Sequence, residues 1–206
     1  MLDHFLPRLT PERIKVLCDT LRRVDRYLRE TSQPYVLCGG SLLGFVRYGH
    51  LLPWDDDIDL AAYPLAIDPG RIWRDGLRVE VIDKSVQFRL ENRKMLVEVF
   101  ALGAGGTASV RGESHCFDIN DSRRVMFMGV EISVPNFAER LLDVTYGVTW
   151  RTHATPPNWD HVERRPNRYA VPMRKTLEEL ESIVAEFRAA NGWHVVIGAD
   201  LAERIQ

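Results

Sequence analysis

Residues Cys38–Leu60 combine a glycine turn with a dense group of aspartates. The stretch begins with Gly39, Gly40 and Ser41, directly after an apolar segment. It ends with four aspartates among the five residues 55–59. Backbone amides at such a turn suit a phosphate group, and closely spaced carboxylates suit a divalent cation. The stretch therefore predicts a site for a phosphate-containing ligand and its metal ion.

The glycine turn predicts an anion site because a strand that enters a helix there leaves N–H groups unpaired at the helix start. Residues 35–38 are typical of a short buried strand, and residues 42–48 of a helix that Gly49 ends. We expect Ser41 to cap this helix, and the glycines allow a phosphate to approach the backbone closely. An ordinary strand-to-helix turn is the alternative interpretation.

The aspartates predict a metal site on a second strand, residues 57–62. Alternate side chains of a strand share a face, so Asp57 and Asp59 point the same way while Ile58 and Leu60 face the core. Two carboxylates about 7 Å apart on one face can share a magnesium ion (Mg²⁺), with Mn²⁺ as the alternative.

Asp55 and Asp56, just before that strand, are expected to hold the turn or to orient the metal ligands. Four acids so close together repel one another by roughly 1 kcal/mol per exposed pair, so the group is hard to explain as a stabilising feature. A calcium loop and a solvated acidic turn are the alternatives, but the glycine and terminal glutamate of an EF-hand are missing.

The surrounding pattern is helix, strand, helix and strand, then several strands and two helices. This is an α+β (mixed α/β) pattern, not the regular alternation of a doubly wound fold. A first helix begins at Thr10-Pro11-Glu12 and carries a basic face. Further strands are predicted over residues 77–82, 86–90, 95–102, 115–119 and 125–134. Asn136 is expected to cap a helix that ends at Tyr146, and residues 175–190 predict an amphipathic helix.

The composition gives broad limits. The chain has 206 residues, 45% of them hydrophobic, and a net charge of −2. No broad basic surface is indicated, so nucleic acid is not an expected partner. No run of residues approaches the roughly 18 apolar residues of a membrane span. Three cysteines without zinc-type spacing favour a reducing compartment, and we expect a cytoplasmic protein.

The central motifs resemble the signature of the LicD/fukutin family of the nucleotidyltransferase superfamily. The resemblance is carried by residues 39–44 with Arg47, and by the Pro-Trp-Asp-Asp-Asp-Ile-Asp-Leu run over residues 53–60. A closing pattern follows in the strand at residues 126–135, in Tyr146-Gly147 and in Trp150. The resemblance covers about residues 10–155.

The resemblance implies a polymerase β-like nucleotidyltransferase core with a mixed sheet and flanking helices. Residues 1–155 would form this catalytic domain, and residues 156–206 an extended segment and a C-terminal helix that packs on it. Family members move a phospho-alcohol, such as phosphocholine or ribitol phosphate, from a CDP-linked donor to a glycan hydroxyl. The implied partners are therefore a CDP-linked or other nucleotide donor and a glycan or polysaccharide acceptor.

Site residues carry over from the matching motif positions. Asp57 and Asp59 would hold the metal ion. The donor diphosphate would meet Gly39, Gly40 and Ser41. Arg47 would project from the first turns of its helix towards a phosphate, or would be a surface cation at the end of the helix.

The superfamily usually has a third carboxylate, which binds metal and helps to activate the attacking hydroxyl. Glu98 stands where the family has an aspartate followed by an apolar pair, so it is the first candidate. Asp118 is the second candidate, because the local pattern alone does not single out Glu98.

Three rival functions stay open at this point. A nucleotidyltransferase would move a nucleoside monophosphate from an NTP to a small molecule or a protein. An NDP-sugar glycosyltransferase would use the Asp-x-Asp pair alone, without a glycine turn upstream. A non-catalytic nucleotide-binding subunit would keep the fold without the chemistry. An acceptor groove over residues 150–169 is a further possibility, with a surface loop as its alternative.

Overall fold

The computed structural model describes residues 9–53, 55, 57–82, 85–90, 96–110 and 113–151. The helices are α1 (Pro11–Glu30), α2 (Gly39–Tyr48), α3 (Pro69–Arg74) and α4 (Ala138–Tyr146). The strands are β1 (Tyr35–Leu37), β2 (Asp57–Ala62), β3 (Leu77–Ile82), β4 (Ser85–Leu90), β5 (Leu96–Ala101), β6 (Thr107–Val110), β7 (Glu113–Cys116), β8 (Ser122–Phe127) and β9 (Val130–Pro135). Short 3₁₀ turns cover Ala104–Gly106 and Val148–Arg151.

A five-stranded mixed sheet organises the chain in the order β1-β2-β5-β4-β3. Strands β2 and β5 are parallel, and the other neighbours in this sheet are antiparallel. Two hairpins, β6–β7 and β8–β9, form separate two-stranded sheets. The predicted α+β class with a mixed sheet is confirmed.

Helix α1 covers one face of this sheet. Thr10 caps it by accepting a hydrogen bond from the Arg13 backbone N–H, and Pro11 opens its first turn, as predicted. Its apolar side, which includes Leu17 and Leu21, packs on the face of the sheet that carries Ile58. Each such side chain contributes about 1.5–3 kcal/mol by leaving water. The opposite face of the sheet carries Asp57 and Asp59.

Two predicted helix caps are wrong. Helix α2 begins at Gly39 rather than after Ser41, and Cys38 is its cap residue without a side-chain hydrogen bond. Ser41 instead lies inside the first turn, fully buried. Helix α4 begins after Phe137. The Asn136 side-chain oxygen, which would accept the capping hydrogen bond, accepts instead from Arg123 over 2.9 Å, and its amide group donates to Asp121 over 2.8 Å.

The strands after residue 106 also differ from the prediction. Residues 125–134 form the end of β8 and most of β9, because Met128 and Gly129 make a turn with φ of +53° and +74°. The strand expected at residues 115–119 lies earlier, at Glu113–Cys116, and pairs with β6, which was not predicted. The amino-acid types in these segments did not predict the turn at Met128 and Gly129 or the β6–β7 pairing.

Several predictions lie outside the described residues. These are the role of Asp56 and the segment and helix expected within residues 156–206. They stay predictions, as does the division of the chain at residue 155. Among the helices that the structure describes, none is both long enough and apolar enough to cross a membrane.

Candidate active site

Three half-buried carboxylates meet on the face of the central sheet opposite helix α1. The parallel pairing of β2 and β5 sets Asp59 directly opposite Glu98, with Asp57 two residues earlier on the same face. One carboxylate oxygen from each of these three residues lies within 4.8 Å of the other two. Within the described residues this is the one group of His, Cys, Asp and Glu side chains placed to hold a metal ion.

The structure selects Glu98 over Asp118 as the third member of this group. Glu98 is half-buried beside the two aspartates, and its carboxylate accepts hydrogen bonds from Ser85 and Gln87 of β4. Asp118 is exposed and accepts a hydrogen bond from the Asn120 backbone N–H over 3.0 Å, within its own turn. The first-ranked candidate is therefore the one that joins the cluster.

The start of helix α2 holds Asp59 in place. The Gly40 backbone N–H donates to Asp59 Oδ2 over 3.1 Å, and the Asp59 backbone N–H donates to Ser41 Oγ over 3.0 Å. The partial positive charge of a helix N-terminus favours a carboxylate at this position. The glycine turn thus holds the Asp59 carboxylate in the protein itself.

Gly39 and Gly40 are glycines because two aspartates lie against them. A Cβ at Gly39 would come within 2.4 Å of Asp59 Oδ2, and Gly39 also has a φ of +56°. A Cβ at Gly40 would come within 2.7 Å of Asp55 Oδ2. Sequence reasoning assigned the small size of these residues to the approach of a phosphate and missed the approach of the protein's own carboxylates.

Asp55 is buried, with 4% of its surface exposed, and its backbone N–H donates to the Leu52 carbonyl over 3.0 Å. Its carboxylate lies over Gly40, next to the three-carboxylate cluster. Whether Asp55 holds the turn or orients the metal ligands stays a prediction. Asp56 is outside the described residues.

The electrostatics of the cluster favour a cation. Desolvation raises the pKa of Asp59 well above its ordinary value, and the charges of Asp57 and Glu98 raise it further. Hydrogen bonds from the backbone of Gly40 and Ser41 offset part of this rise in pKa. Without a cation, the negative charges of the three carboxylates repel one another.

The donor set fits a hard divalent cation. Mg²⁺ takes oxygen ligands in octahedral geometry at about 2.0–2.1 Å and keeps positions for waters and substrate phosphates. The cluster offers three carboxylate oxygens within 4.8 Å of one another, so small side-chain adjustments bring them to a common ion. The observation supports a metal site and does not distinguish Mg²⁺ from Mn²⁺.

Two residues near the cluster were not predicted as site residues. The pKa of the Cys38 thiol is raised well above its ordinary value by desolvation, then by Asp59 and Glu98. The pKa of Tyr146 is raised by burial and then by the charges of Asp59 and Asp55. The signal for Tyr146 was its place in the closing motif of the family resemblance, whereas nothing in the sequence marked Cys38.

Arg47 lies in the last turn of α2, not in its first turns as the resemblance implied. Its guanidinium carbon is 5.0 Å from the centre of the Tyr48 ring. Eight residues separate Arg47 from Gly39, which is about 12 Å along a helix axis. Ser41 is fully buried. Contacts of Ser41 and Arg47 with a donor phosphate stay predictions.

Trp150, at the start of the suggested acceptor groove, is 4% exposed and donates its indole N–H to Asp143 over 2.8 Å. This contact ties the 3₁₀ turn to α4. The rest of the suggested groove, from residue 152 onward, lies outside the described residues.

Comparison with known families places this site in a recognised domain. Residues 32–101 match the family model described as LicD/FKTN/FKRP, nucleotidyltransferase domain. Over these residues, about a third of its length, the chain is similar to the nucleotidyltransferase domain of that family. The match runs from just before β1 to the end of β5 and includes Asp57, Asp59 and Glu98. The predicted resemblance to this family and to a nucleotidyltransferase domain is confirmed over these residues.

Two curated proteins resemble a shorter part of the chain. They are the ribitol 5-phosphate transferases FKRP of Mus musculus and Homo sapiens, each 44% identical over 50 residues. The match covers 24% of this chain and 10% of each relative, so it spans about a tenth of their length.

Two solved nucleotidyltransferase structures show weaker similarity. The lincomycin-bound lincosamide adenylyltransferase LnuA is 15% identical, with a TM-score of 0.40 over 66% of this chain and 85% of that chain. The antibiotic-resistance factor ANT(2'')-Ia is 15% identical, with a TM-score of 0.43 over 89% of this chain and 95% of that chain. Because both TM-scores are below 0.5, these similarities assign no activity or substrate.

Proposed function

We propose that this protein is a Mg²⁺-dependent phosphotransferase. It would move a phospho-alcohol, of the phosphocholine or polyol-phosphate type, from a CDP-linked donor to a hydroxyl of a glycan or cell-surface polysaccharide. The observation that carries the proposal is the cluster of Asp57, Asp59 and Glu98 inside a LicD-family domain. The name of the FKRP relatives, ribitol 5-phosphate transferase, supports the class of transferred group.

Asp57, Asp59 and Glu98 are the residues that would hold the metal ion. Such an ion neutralises the donor diphosphate and the charge that develops on the leaving nucleotide. The fixed position of Asp59 against helix α2 means that the site needs little rearrangement to bind the ion. Position and charge supply most of the rate in phosphoryl transfer, so this rigidity supports the proposal.

The start of α2 would lie beside the donor diphosphate. The Gly40 N–H is already engaged by Asp59, so we assign the helix start first to the aspartate and second to the donor phosphates. Glu98, on the central strand β5 beside the aspartate pair of β2, would bind the metal ion and help to activate the acceptor hydroxyl. A cytoplasmic location stays a prediction.

A nucleotidyltransferase is the second candidate function. The matched family domain is described as a nucleotidyltransferase domain, which favours transfer of a nucleoside monophosphate from an NTP. The two reactions leave different products, since the phosphotransferase releases CMP and the nucleotidyltransferase releases pyrophosphate. A non-catalytic nucleotide-binding subunit would release neither.

Product release therefore tests the proposal. The full chain is incubated with Mg²⁺ and with CDP-ribitol, CDP-glycerol, CDP-choline or CTP, and CMP and pyrophosphate are measured by chromatography. We expect CMP from at least one CDP-alcohol, at a low rate with water as the acceptor and at a higher rate with a polysaccharide. Asp57→Asn should lose this activity, whereas the exposed Asp118→Asn is a matched control that should keep it. Pyrophosphate from CTP instead would favour the second candidate, and CMP release by Asp57→Asn at the wild-type rate would contradict the proposed site.

A further inference from the structure

Glu98 lies between two polar neighbours on one face of the sheet. The parallel register places Asp59 beside it on β2, and the antiparallel register places Gln87 beside it on β4. Neighbouring strands are about 4.8 Å apart, so side chains from both strands can reach the Glu98 carboxylate. Ser85, two residues before Gln87, points to the same face.

Both β4 side chains donate to the same oxygen of Glu98. Ser85 Oγ makes a short hydrogen bond to Glu98 Oε1, and Gln87 Nε2 donates to that oxygen over 3.4 Å. The Ser85 hydroxyl also lies 3.2 Å from the Ile82 carbonyl, but the carboxylate oxygen is the closer acceptor. Within the part of the chain that the structure describes, the second carboxylate oxygen of Glu98 accepts no hydrogen bond.

Arg89 determines which way the Gln87 amide faces. An Arg89 Nη2 hydrogen bond occupies the amide oxygen of Gln87. The amide NH₂ group, the only donor of that side chain, is therefore directed at Glu98. Arg89 also lies 3.5 Å from Glu80 on the edge strand β3, so its own position is restrained from the other side.

These contacts oppose a repulsion that would otherwise move Glu98 away. Asp57 and Asp59 carry the same charge as Glu98 and lie close to it. A free glutamate side chain has several rotamers, and like charges favour those that point away from the aspartates. Two donors on one Glu98 oxygen hold the side chain in the rotamer that keeps the other oxygen available.

We infer that Ser85 and Gln87 are positioning residues that hold Glu98 for the metal ion, with Arg89 orienting Gln87. The inference rests on the proposed metal site and adds three residues of β4 to it. Loss of such supporting hydrogen bonds typically weakens metal binding by about 10- to 100-fold. The effect should appear in binding of the metal alone, without donor or acceptor.

A titration of the full metal-free chain with Mn²⁺ tests this inference. The electron paramagnetic resonance signal of free Mn²⁺ measures how much of the ion is bound. We expect Ser85→Ala and Gln87→Met each to raise the Mn²⁺ dissociation constant by about 10-fold. Ser85→Thr keeps the hydroxyl and should bind within about 2-fold of the wild type. Ser122→Ala, the same change on the hairpin strand β8, is the control and should bind as the wild type does. The unfolding temperature in EDTA is recorded for each variant to show that it is folded.

Arg89→Met keeps the Gln87 side chain but releases its amide oxygen. It should weaken Mn²⁺ binding by less than Gln87→Met does, and it keeps the test available if Gln87→Met does not fold. Wild-type Mn²⁺ affinity in both Ser85→Ala and Gln87→Met, with binding lost in Asp57→Asn, would overturn the inference and leave the proposed function standing. No Mn²⁺ binding by the wild type would overturn both. Weakened binding in the variants without CMP release from any donor would refute the function alone.

Discussion

Replacing Gly39 with alanine tests whether the glycine turn exists for the aspartates. The new Cβ would come within 2.4 Å of Asp59 Oδ2 and within 3.0 Å of two further Asp59 atoms, so the carboxylate has to move. Gly39 also has a φ of +56°, which a residue with a Cβ adopts only at a cost. The displaced Asp59 loses its hydrogen bond from the Gly40 N–H.

Together, these effects predict a measurable loss of stability. The left-handed conformation costs about 1–2 kcal/mol. A hydrogen bond to a charged group contributes about 1.5–3 kcal/mol. Taking the two together as about 3 kcal/mol, the unfolding temperature of a chain of this size should fall by roughly 6–12 °C. If the glycines served only an incoming phosphate, the ligand-free protein would keep the Asp59 hydrogen bond and lose only the roughly 1–2 kcal/mol of the left-handed conformation.

Thermal unfolding of the metal-free protein, followed by circular dichroism, measures the difference. Gly70→Ala is the control, because Gly70 lies in the first turn of α3 and its Cβ would be in ordinary contact, 3.5 Å from Asp68 Oδ1. That variant should be unchanged or stabilised by up to about 1 kcal/mol. Gly39→Ala should also lose most of its Mn²⁺ affinity. At this chain length, a shift of about 2 °C corresponds to roughly 0.5–1 kcal/mol. A smaller shift in the unfolding temperature, together with unchanged Mn²⁺ binding, would refute the role given to Gly39.

Two further predictions concern buried carboxylates. Asp25 is 4% exposed and accepts hydrogen bonds from the Tyr35 hydroxyl over 2.5 Å and from Arg124 over 2.9 Å. Asp25→Ala should lower the free energy of unfolding in urea by about 2–3 kcal/mol, because it removes the shared partner of Tyr35, Arg124 and Arg29, whose Nε donates to Asp25 Oδ2 over 3.0 Å. Asp19→Ala, which breaks an exposed pair, should cost under about 1 kcal/mol, and equal losses in both would contradict this assignment. The second prediction follows from the raised pKa of Asp59, since the folded metal-free protein binds a proton there more tightly than the unfolded chain does. In EDTA, the contribution of the Asp59 proton to the free energy of unfolding should be fully present below the ordinary aspartate pKa of about 3.9. This contribution should be lost as the pH rises through the raised pKa of Asp59. Asp59→Asn should reduce the change of the unfolding free energy with pH, measured by urea denaturation at several pH values. An unchanged pH dependence would contradict the assignment of this effect to Asp59.

Some strands and helices were predictable from the local sequence pattern alone. Strands β2 and β3 have the predicted bounds, and β5 differs by one residue at each end, because alternation and apolar runs are properties of neighbouring residues. Helix α1 begins where its cap and proline predicted. The pairing of Asp57 with Asp59 on one face was equally local, since it needs only the two-residue period of a strand.

Other elements depended on turns and contacts that local pattern did not reveal. The turn at Met128 and Gly129 lies inside an apolar run, so β8 and β9 were predicted as a single strand. Asn136 is a good capping residue by type, but its side chain bonds to Asp121, fifteen residues earlier. A residue type states which contacts are possible, and the packed chain determines which of them form.

The sequence by itself determined the class of the fold, the two aspartates that share a face and the family of the central motif. Only the tertiary structure decided that Glu98 completes the cluster, because its distance from Asp59 follows from the register of two parallel strands about forty residues apart. It also decided that Gly39 and Gly40 make room for aspartates, and that Ser85 and Gln87 reach Glu98. These contacts join distant segments, so their geometry exists only once the sheet has formed.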